Sequence, residues 1–165
     1  AENTDAGGFL AALPSSPRGK RALVLGAGGA ARAVVWALAG EVAEVAIWNR
    51  KPARAGNLAA ELGGDPVDDP DPAAYELIVN TSAAGLRGEN PFEHLPLAPQ
   101  RFEPEQVVVD MVYGERPSAL LAAAAARGAT TVDGLEILVQ QGALSLEIWT
   151  GRKAPLAVMR AAARG

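Results

Sequence analysis

Short runs of β-branched and aliphatic residues alternate along this chain with longer stretches rich in Ala and Leu, and that alternation restricts the fold more than any single motif does. Strand-forming and helix-forming segments taken strictly in turn make βαβ units, which assemble into a parallel sheet covered by helices. The runs at 22–25 (ALVL), 45–48 (VAIW), 77–79 (LIV), 107–109 (VVV) and 130–132 (TTV) read as central strands, each with both faces covered. A short sixth strand is expected near Pro66 and Val67. Helices are expected over 30–39, 54–62 and 118–127, with Gly40, Gly63 and Gly128 just past their ends, where helices commonly stop. A short opening helix, 5–13, has Asp5 near its start and leads into the connector Pro14-Ser15-Ser16-Pro17. Two further helices, 135–149 and 154–164, close the chain. The expected class is α/β, a doubly wound, mostly parallel sheet of about six strands with helices on both faces.

Composition removes whole classes of function. The 165 residues, 49% hydrophobic and 21% charged, suit one full core. Zero cysteines exclude a disulfide framework, a thiolate metal site and a cysteine nucleophile, and a single histidine, His94, excludes a cluster of histidine ligands. A net charge of -4 gives no general attraction to nucleic acid or to anionic membranes, so any anion site must be local. No apolar run approaches the roughly 20 residues that span a bilayer, and the first residues lack the pattern of a secretion signal, so the expected location is cytoplasmic. The acidic stretch 65–72 alternates with prolines in no calcium-loop spacing and reads as a solvated loop. His94, alone in the proline-punctuated segment 91–104, reads as a surface residue.

The most specific local signal is Leu25-Gly26-Ala27-Gly28-Gly29-Ala30-Ala31, a G-x-G-x-x-A fingerprint placed directly after a strand and before a helix. In that Rossmann-like context Gly26 permits the tight turn, Gly28 leaves room for a pyrophosphate, and the small Ala31 lets the helix pack on the sheet. The phosphates would rest on free N–H groups of the helix N-terminus. An NAD-selective site needs an acid at the end of the next strand, about 20 residues on, for the ribose 2′-hydroxyl. This chain has Asn49-Arg50-Lys51 there, with Arg54 one helical turn beyond, so cations await a 2′-phosphate and NADP is favoured. Three more polar clusters follow strands: Asn80-Thr81-Ser82, Asp110-Met111-Val112-Tyr113 and Asp133-Gly134. Each alone is also compatible with a helix cap or a turn, but ligands of doubly wound sheets bind at the carboxyl ends of the strands, and Asn80, Thr81 and Ser82 are taken as further cofactor candidates.

Taken in order, Asn3-Thr4-Asp5, Gly26-Ala27-Gly28-Gly29-Ala30, Asn49-Arg50 with Arg54, Asn80-Thr81-Ser82, Asp110-x-x-Tyr113 and Gly134-Leu135-x-x-Leu138-x-x-Gln141 resemble the shikimate dehydrogenases, and the resemblance runs the length of the chain. It implies NADP bound by Gly26 through Ala30 and by Asn49, Arg50, Lys51 and Arg54. It implies that Met111 and Gly134 line the nicotinamide, and that Asp5, Tyr113 and Gln141 hold shikimate, with Asp5 also in a catalytic role. The implied chemistry is reversible hydride transfer between NADP and 3-dehydroshikimate/shikimate, in the biosynthesis of aromatic amino acids. Without the resemblance, Asp5 reads equally as a helix N-cap.

The sequence departs from the family in one costly respect. Members carry a substrate domain whose Thr-x-Pro-x-Lys motif supplies the catalytic lysine, and none of the three lysines here, Lys20, Lys51 and Lys153, sits in such a motif. Lesser departures are Leu86, Glu115 and Ser118. The expected organisation is therefore a cofactor domain, 1–134, with the first helix and hinge at 5–17, and closing helices, 135–165, that return to a substrate domain not found in this chain. The absence of an initiator Met favours a truncated chain, inactive by itself. A stand-alone NADP-binding or sensing module without turnover, and a quinate/shikimate dehydrogenase, are the alternatives. Leu135, Leu138, Gly142 and Trp149 form an apolar stripe on the first closing helix. With its cover missing, the closing helices are expected either to form a homodimer through that face or to be displaced, leaving Gln141 unorganised.

Overall fold

The computed structural model describes residues 4–114 and 116–165, so Asn3 and Glu115 of the motifs above lie outside the described residues. The elements run α1 (Thr4–Ala12), β1 (Arg21–Leu25), α2 (Gly29–Leu38), β2 (Glu44–Trp48), α3 (Pro52–Leu62), β3 (Asp65–Pro66), β4 (Leu77–Asn80), β5 (Val107–Asp110), α4 (Ala119–Ala126), β6 (Thr130–Asp133), α5 (Gly134–Thr150) and α6 (Leu156–Arg164). Short 3-10 turns at Pro72–Ala74, Pro91–Glu93 and Pro99–Arg101 punctuate the longer connections. The sheet has the order β3-β2-β1-β4-β5-β6, and every pairing is parallel. The chain thus winds outward from β1 to β3, returns to the other side of β1 as β4, and winds outward again. The reversal between β1 and β4 is the topological switch point at which such sheets open a crevice.

Side chains alternate across each strand, so Ala22 and Val24 of β1 enter one core layer while Leu23 and Leu25 enter the other. The first layer packs Val34, Val35 and Leu38 of α2, Leu58 of α3, Phe9 of α1 and Ile137 of α5. The second packs Leu120, Leu121 and Ala124 of α4 with Phe102, Leu95 and Leu97 from the long connection between β4 and β5. That connection does the covering that a further helix would otherwise do. At the amino end of the strands Arg21 pairs with Glu76, which also accepts the Arg21 backbone N–H at 2.7 Å, and these bonds hold the Glu76 carboxyl down to about 2. No helix among the described residues is long and apolar enough to cross a membrane.

Three expectations are corrected. β6 is an edge strand with Thr130 and Thr131 exposed, since no further strand among the described residues pairs with its outer side, whereas the sequence pattern suggests a central one. The acidic stretch contains the short strand expected there, Asp65 and Pro66 forming β3, but beyond it is not simply a solvated loop: Asp71 accepts the Ala73 N–H and pairs with Arg101. The closing helices are not displaced. α5 lies on α1, burying Ile137, Val139, Gln140 and Ala143, and α6 folds back so that Arg160 and Arg164 pair with Glu136 and Asp133. The expected stripe remains partly uncovered, with Trp149 84% exposed, because α5 docks through a different face.

Gly8 makes the α1–α5 approach so close that a Cβ there would lie 2.7 Å from the Gln141 backbone nitrogen. Gly8→Ala is therefore expected to destabilise the chain by about 1–3 kcal/mol through overpacking. Gly56, inside α3 with open space around it, is the control: Gly56→Ala is expected to stabilise by about 0.5–1 kcal/mol by removing a helix-interior glycine. Urea unfolding of the two variants checks both signs, and equal effects at the two positions would contradict the packing argument.

Candidate functional site

The carboxyl ends of the strands stop in one row. Leu25 pairs with Trp48 on one side and Asn80 on the other, Asn80 pairs with Asp110, and Asp110 with Asp133. The loops leave the sheet in step, since Gly26 N donates to Trp48 O, Thr81 N to Leu25 O and Met111 N to Asn80 O, at 2.8, 2.9 and 2.9 Å. The sequence-designated residues Gly26 through Ala30, Asn49 through Lys51, Asn80 through Ser82, Met111 and Gly134 all follow or end strands on this one edge.

Gly26 adopts φ +122, and a Cβ there would lie 2.5 Å from Thr81 Oγ1, so both its backbone and its surroundings require glycine. Thr81 in turn donates its hydroxyl to Leu25 O at 2.8 Å, tying the β4 loop under the glycine turn. Gly28 is the N-cap of α2 and is extended, with no side chain capping the helix. Gly28 and Gly29 are exposed, with nothing within reach of an added Cβ, while Ala31 is fully buried against the sheet. An uncapped helix start beneath open space, beside the switch point, has N–H groups available to an anion. These residues fit a dinucleotide pyrophosphate.

At the end of β2, Asn49 donates Nδ2 to Lys51 O at 3.0 Å and shapes the turn into α3, whose first residue is Pro52. Arg50, Lys51 and Arg54 are exposed. A cavity of about 360 Å³ opens here between Trp48, Asn49 and Arg50 on one wall and the loop after β4, Ser82 to Leu95, on the other. Of that second wall the sequence pattern identified only Ser82. The wall also includes Arg87, Glu89 and His94, the last of which reads from sequence as a plain surface residue.

Asn80 and Asp110 are buried and joined by a 2.9 Å bond from Asn80 Nδ2 to Asp110 Oδ1. Asn80 Oδ1 accepts from the Ser82 N–H and hydroxyl, so this side chain folds the loop rather than reaching outward. Asp110 accepts from Val112 N and from the Ser118 hydroxyl, and Ser118 caps α4 by accepting from Leu121 N. Burial pushes the Asp110 carboxyl above its usual range, against the opposing effect of those bonds. The path from β5 past Met111 to Tyr113 is thereby anchored at its start.

Gly134 packs onto the Met111 carbonyl, where any side chain would collide, and the Tyr113 ring lies beside the same spot. Tyr113 is itself exposed. Gln141 follows Gly134 by about two helical turns on the same side of α5. Gln141 donates Nε2 to the Asp5 carboxylate, so two of the three residues expected to hold substrate meet across the α1–α5 contact and Gln141 is organised, contrary to expectation. Asp5 lies inside the described helix rather than before it, which removes the N-cap reading. Of the lysines, Lys20 donates to Ser15 Oγ before β1, at the far end of the sheet. Among the described residues no group of His, Asp and Glu converges to hold a metal.

A folded carboxyl that resists ionisation favours folding below the ordinary value of 3.8 and loses that contribution as the pH rises through its raised value. Asp110→Asn is therefore expected to compare more favourably with the parent chain at neutral pH than near pH 4. Denaturant unfolding of both across that range checks the sign, and a stability gap that moves the opposite way would refute it.

A family model described as shikimate / quinate 5-dehydrogenase matches residues 11–79, and one described as the shikimate 5′-dehydrogenase C-terminal domain matches residues 134–164. The shikimate dehydrogenase (NADP(+)) of Moorella thermoacetica is 41% identical across 95% of this chain and 58% of its own length. The crystal structure of shikimate dehydrogenase from Aquifex aeolicus superposes with a TM-score of 0.88 at 38% identity, covering 99% of this chain and 61% of that one. The shikimate 5-dehydrogenase of Thermus thermophilus, solved in complex with NADP(H) and shikimate, gives 0.83 at 43%, covering 98% and 62%. The chain thus spans about three fifths of the length of these relatives. With matches to both its glycine-loop sheet and its closing helices, the chain belongs to the shikimate dehydrogenase family.

Proposed function

We propose that this chain is the NADP-binding portion of an enzyme that reversibly reduces 3-dehydroshikimate to shikimate. The observation that carries the reading is the uncapped start of α2 under Gly28 and Gly29, next to a cavity bearing Arg50 and with no acid at the end of β2. NADP, when bound, supplies or accepts the hydride at its nicotinamide. The residues of this chain bind and orient. The α2 N–H groups and the glycine loop take the pyrophosphate, Asn49 shapes the turn that presents Arg50 and Lys51, and Arg54 adds charge on the first turn of α3. Asn80, Thr81 and Ser82 keep the β4 loop clear of the cofactor path by bonding inward. Met111, packed on Gly134, forms the floor for the nicotinamide end, and Tyr113, Asp5 and Gln141 face substrate.

What this chain does not place at the strand ends is a lysine for proton transfer. Lys20 is at the other end of the sheet, Lys51 belongs to the cofactor side, and Lys153 lies between α5 and α6. The boundary near residue 134, between a cofactor domain and helices that serve a substrate domain, is part of the same proposal.

Charged hydrogen bonds to a 2′-phosphate contribute about 1.5–3 kcal/mol, so NADP is expected to bind at least about tenfold more tightly than NAD. Arg50→Asp is expected to weaken NADP more than NAD. Calorimetric titration with each cofactor measures both, and equal affinities in the parent chain would refute the assignment. Acid–base catalysis and positioning each supply large factors, about 10² to 10⁴ for the former alone, so the chain by itself is expected to show no NADPH formation with shikimate. Steady turnover in proportion to protein concentration would overturn that expectation.

A further inference from the structure

The cavity at the end of β2 has two walls, and the cofactor motif accounts for only one of them. Among the described residues that line it, Arg50 is the one cation from the β2 side, while Lys51 and Arg54 stand outside. The opposite wall comes from the loop after β4 and carries Arg87, Glu89 and His94. We propose that Arg87 and His94 form a second, specificity-determining wall that grips the 2′-phosphate of the adenosine together with Arg50. The proposal rests on the NADP reading and extends it to residues outside the fingerprint and the strand-end cluster.

Arg87 is available for this task. Most arginines near a carboxylate in this acidic chain are spent on it: Arg21, Arg32, Arg101, Arg160 and Arg164 each hold an Asp or Glu. Arg50 and Arg87 form no ion pair among the described residues. Glu89, the acid on the same wall, stays ionised but forms no ion pair with Arg87 among the described residues, and its oxygens hold the loop backbone instead. Glu89 Oε1 accepts from Gly85 N and Oε2 from Arg87 N, both at 2.9 Å, and these backbone bonds, aided by His94, hold its carboxyl below the usual range. Glu89 thereby fixes the backbone from which the Arg87 side chain departs. His94 follows the 3-10 turn Pro91–Glu93, capped by Asn90, and its ring offers an N–H donor even when neutral. Two guanidinium groups on facing walls match the several acceptor oxygens of a phosphate monoester better than one does.

Calorimetric titration of the parent chain, Arg87→Ala, Arg87→Lys and His94→Ala with NADP and with NAD tests this. Arg87→Ala is expected to lose roughly tenfold in NADP affinity and His94→Ala about threefold, with NAD affinity changed by less than about twofold in each. Arg87→Lys restores part of the loss. All three substitutions are on exposed side chains, and unchanged melting temperatures separate a lost contact from a damaged loop. A parent chain that prefers NADP, with Arg87→Ala retaining the same NADP-to-NAD ratio, overturns this proposal alone. A parent chain with no preference overturns the NADP reading and this proposal together. Equal loss of both cofactors in His94→Ala overturns the role given to His94.

Discussion

Parallel pairing is the constraint on which the rest of this structure depends. Because every strand runs the same way, each crossover must travel back across a face of the sheet, and every strand delivers its following loop to one edge. Here the delivery is level as well as one-sided, with Trp48, Leu25, Asn80, Asp110 and Asp133 in a single register row. A one-residue slip in any pairing would turn the polar strand-end side chains to the opposite face and bury their charges in the wrong layer. The position of the site is thus a property of the backbone ladder before it is a property of any side chain.

The polar groups in that row then bear unequal burdens. Asn80 and Asp110 are buried, and they direct their bonds into the loops beside them, which converts two strand ends into rigid corners. Burial of the Asp110 carboxyl is unfavourable in isolation, and its three donors offset that cost only while Asn80, Val112 and Ser118 keep their places. Asp133 is half exposed and caps α5 while pairing with Arg164, a lighter task. The same row therefore contains one structural hub and one helix cap, and it is Arg50, exposed in the loop just beyond the row, that has bonds left to give.

Much of this was legible from residue order. The apolar runs located all six strands to within a residue or so, and the glycine fingerprint located the turn whose positive φ and contact with Thr81 explain Gly26. What was not legible depends on contacts between distant segments. Thr-Thr-Val resembles a central strand as much as an edge, and only its place at the end of the strand order exposes Thr130. Asn-Thr-Ser reads as a cofactor contact or as a cap, and the inward bond of Asn80 is apparent only once Asp110 stands beside it. His94 joined the cavity because Glu89 and Asn90 fold the preceding loop, and no local pattern announces that. Asp5 and Gln141, 136 positions apart, were associated only through family resemblance.

That last separation has a kinetic side. The α1–α5 contact encloses the whole sheet-forming sequence in one loop, whose closure costs more conformational entropy than any strand pairing within it. If the more local βαβ contacts between β1 and β6 carry the chain over its folding barrier, a contact between helices that flank them at either end closes on the descent rather than on the ascent. Interactions of that kind govern how fast a chain comes apart more than how fast it comes together. On that order of events the glycine-lined seam between α1 and α5 is a clasp, and loosening it would shorten the lifetime of the folded state more than it slowed folding.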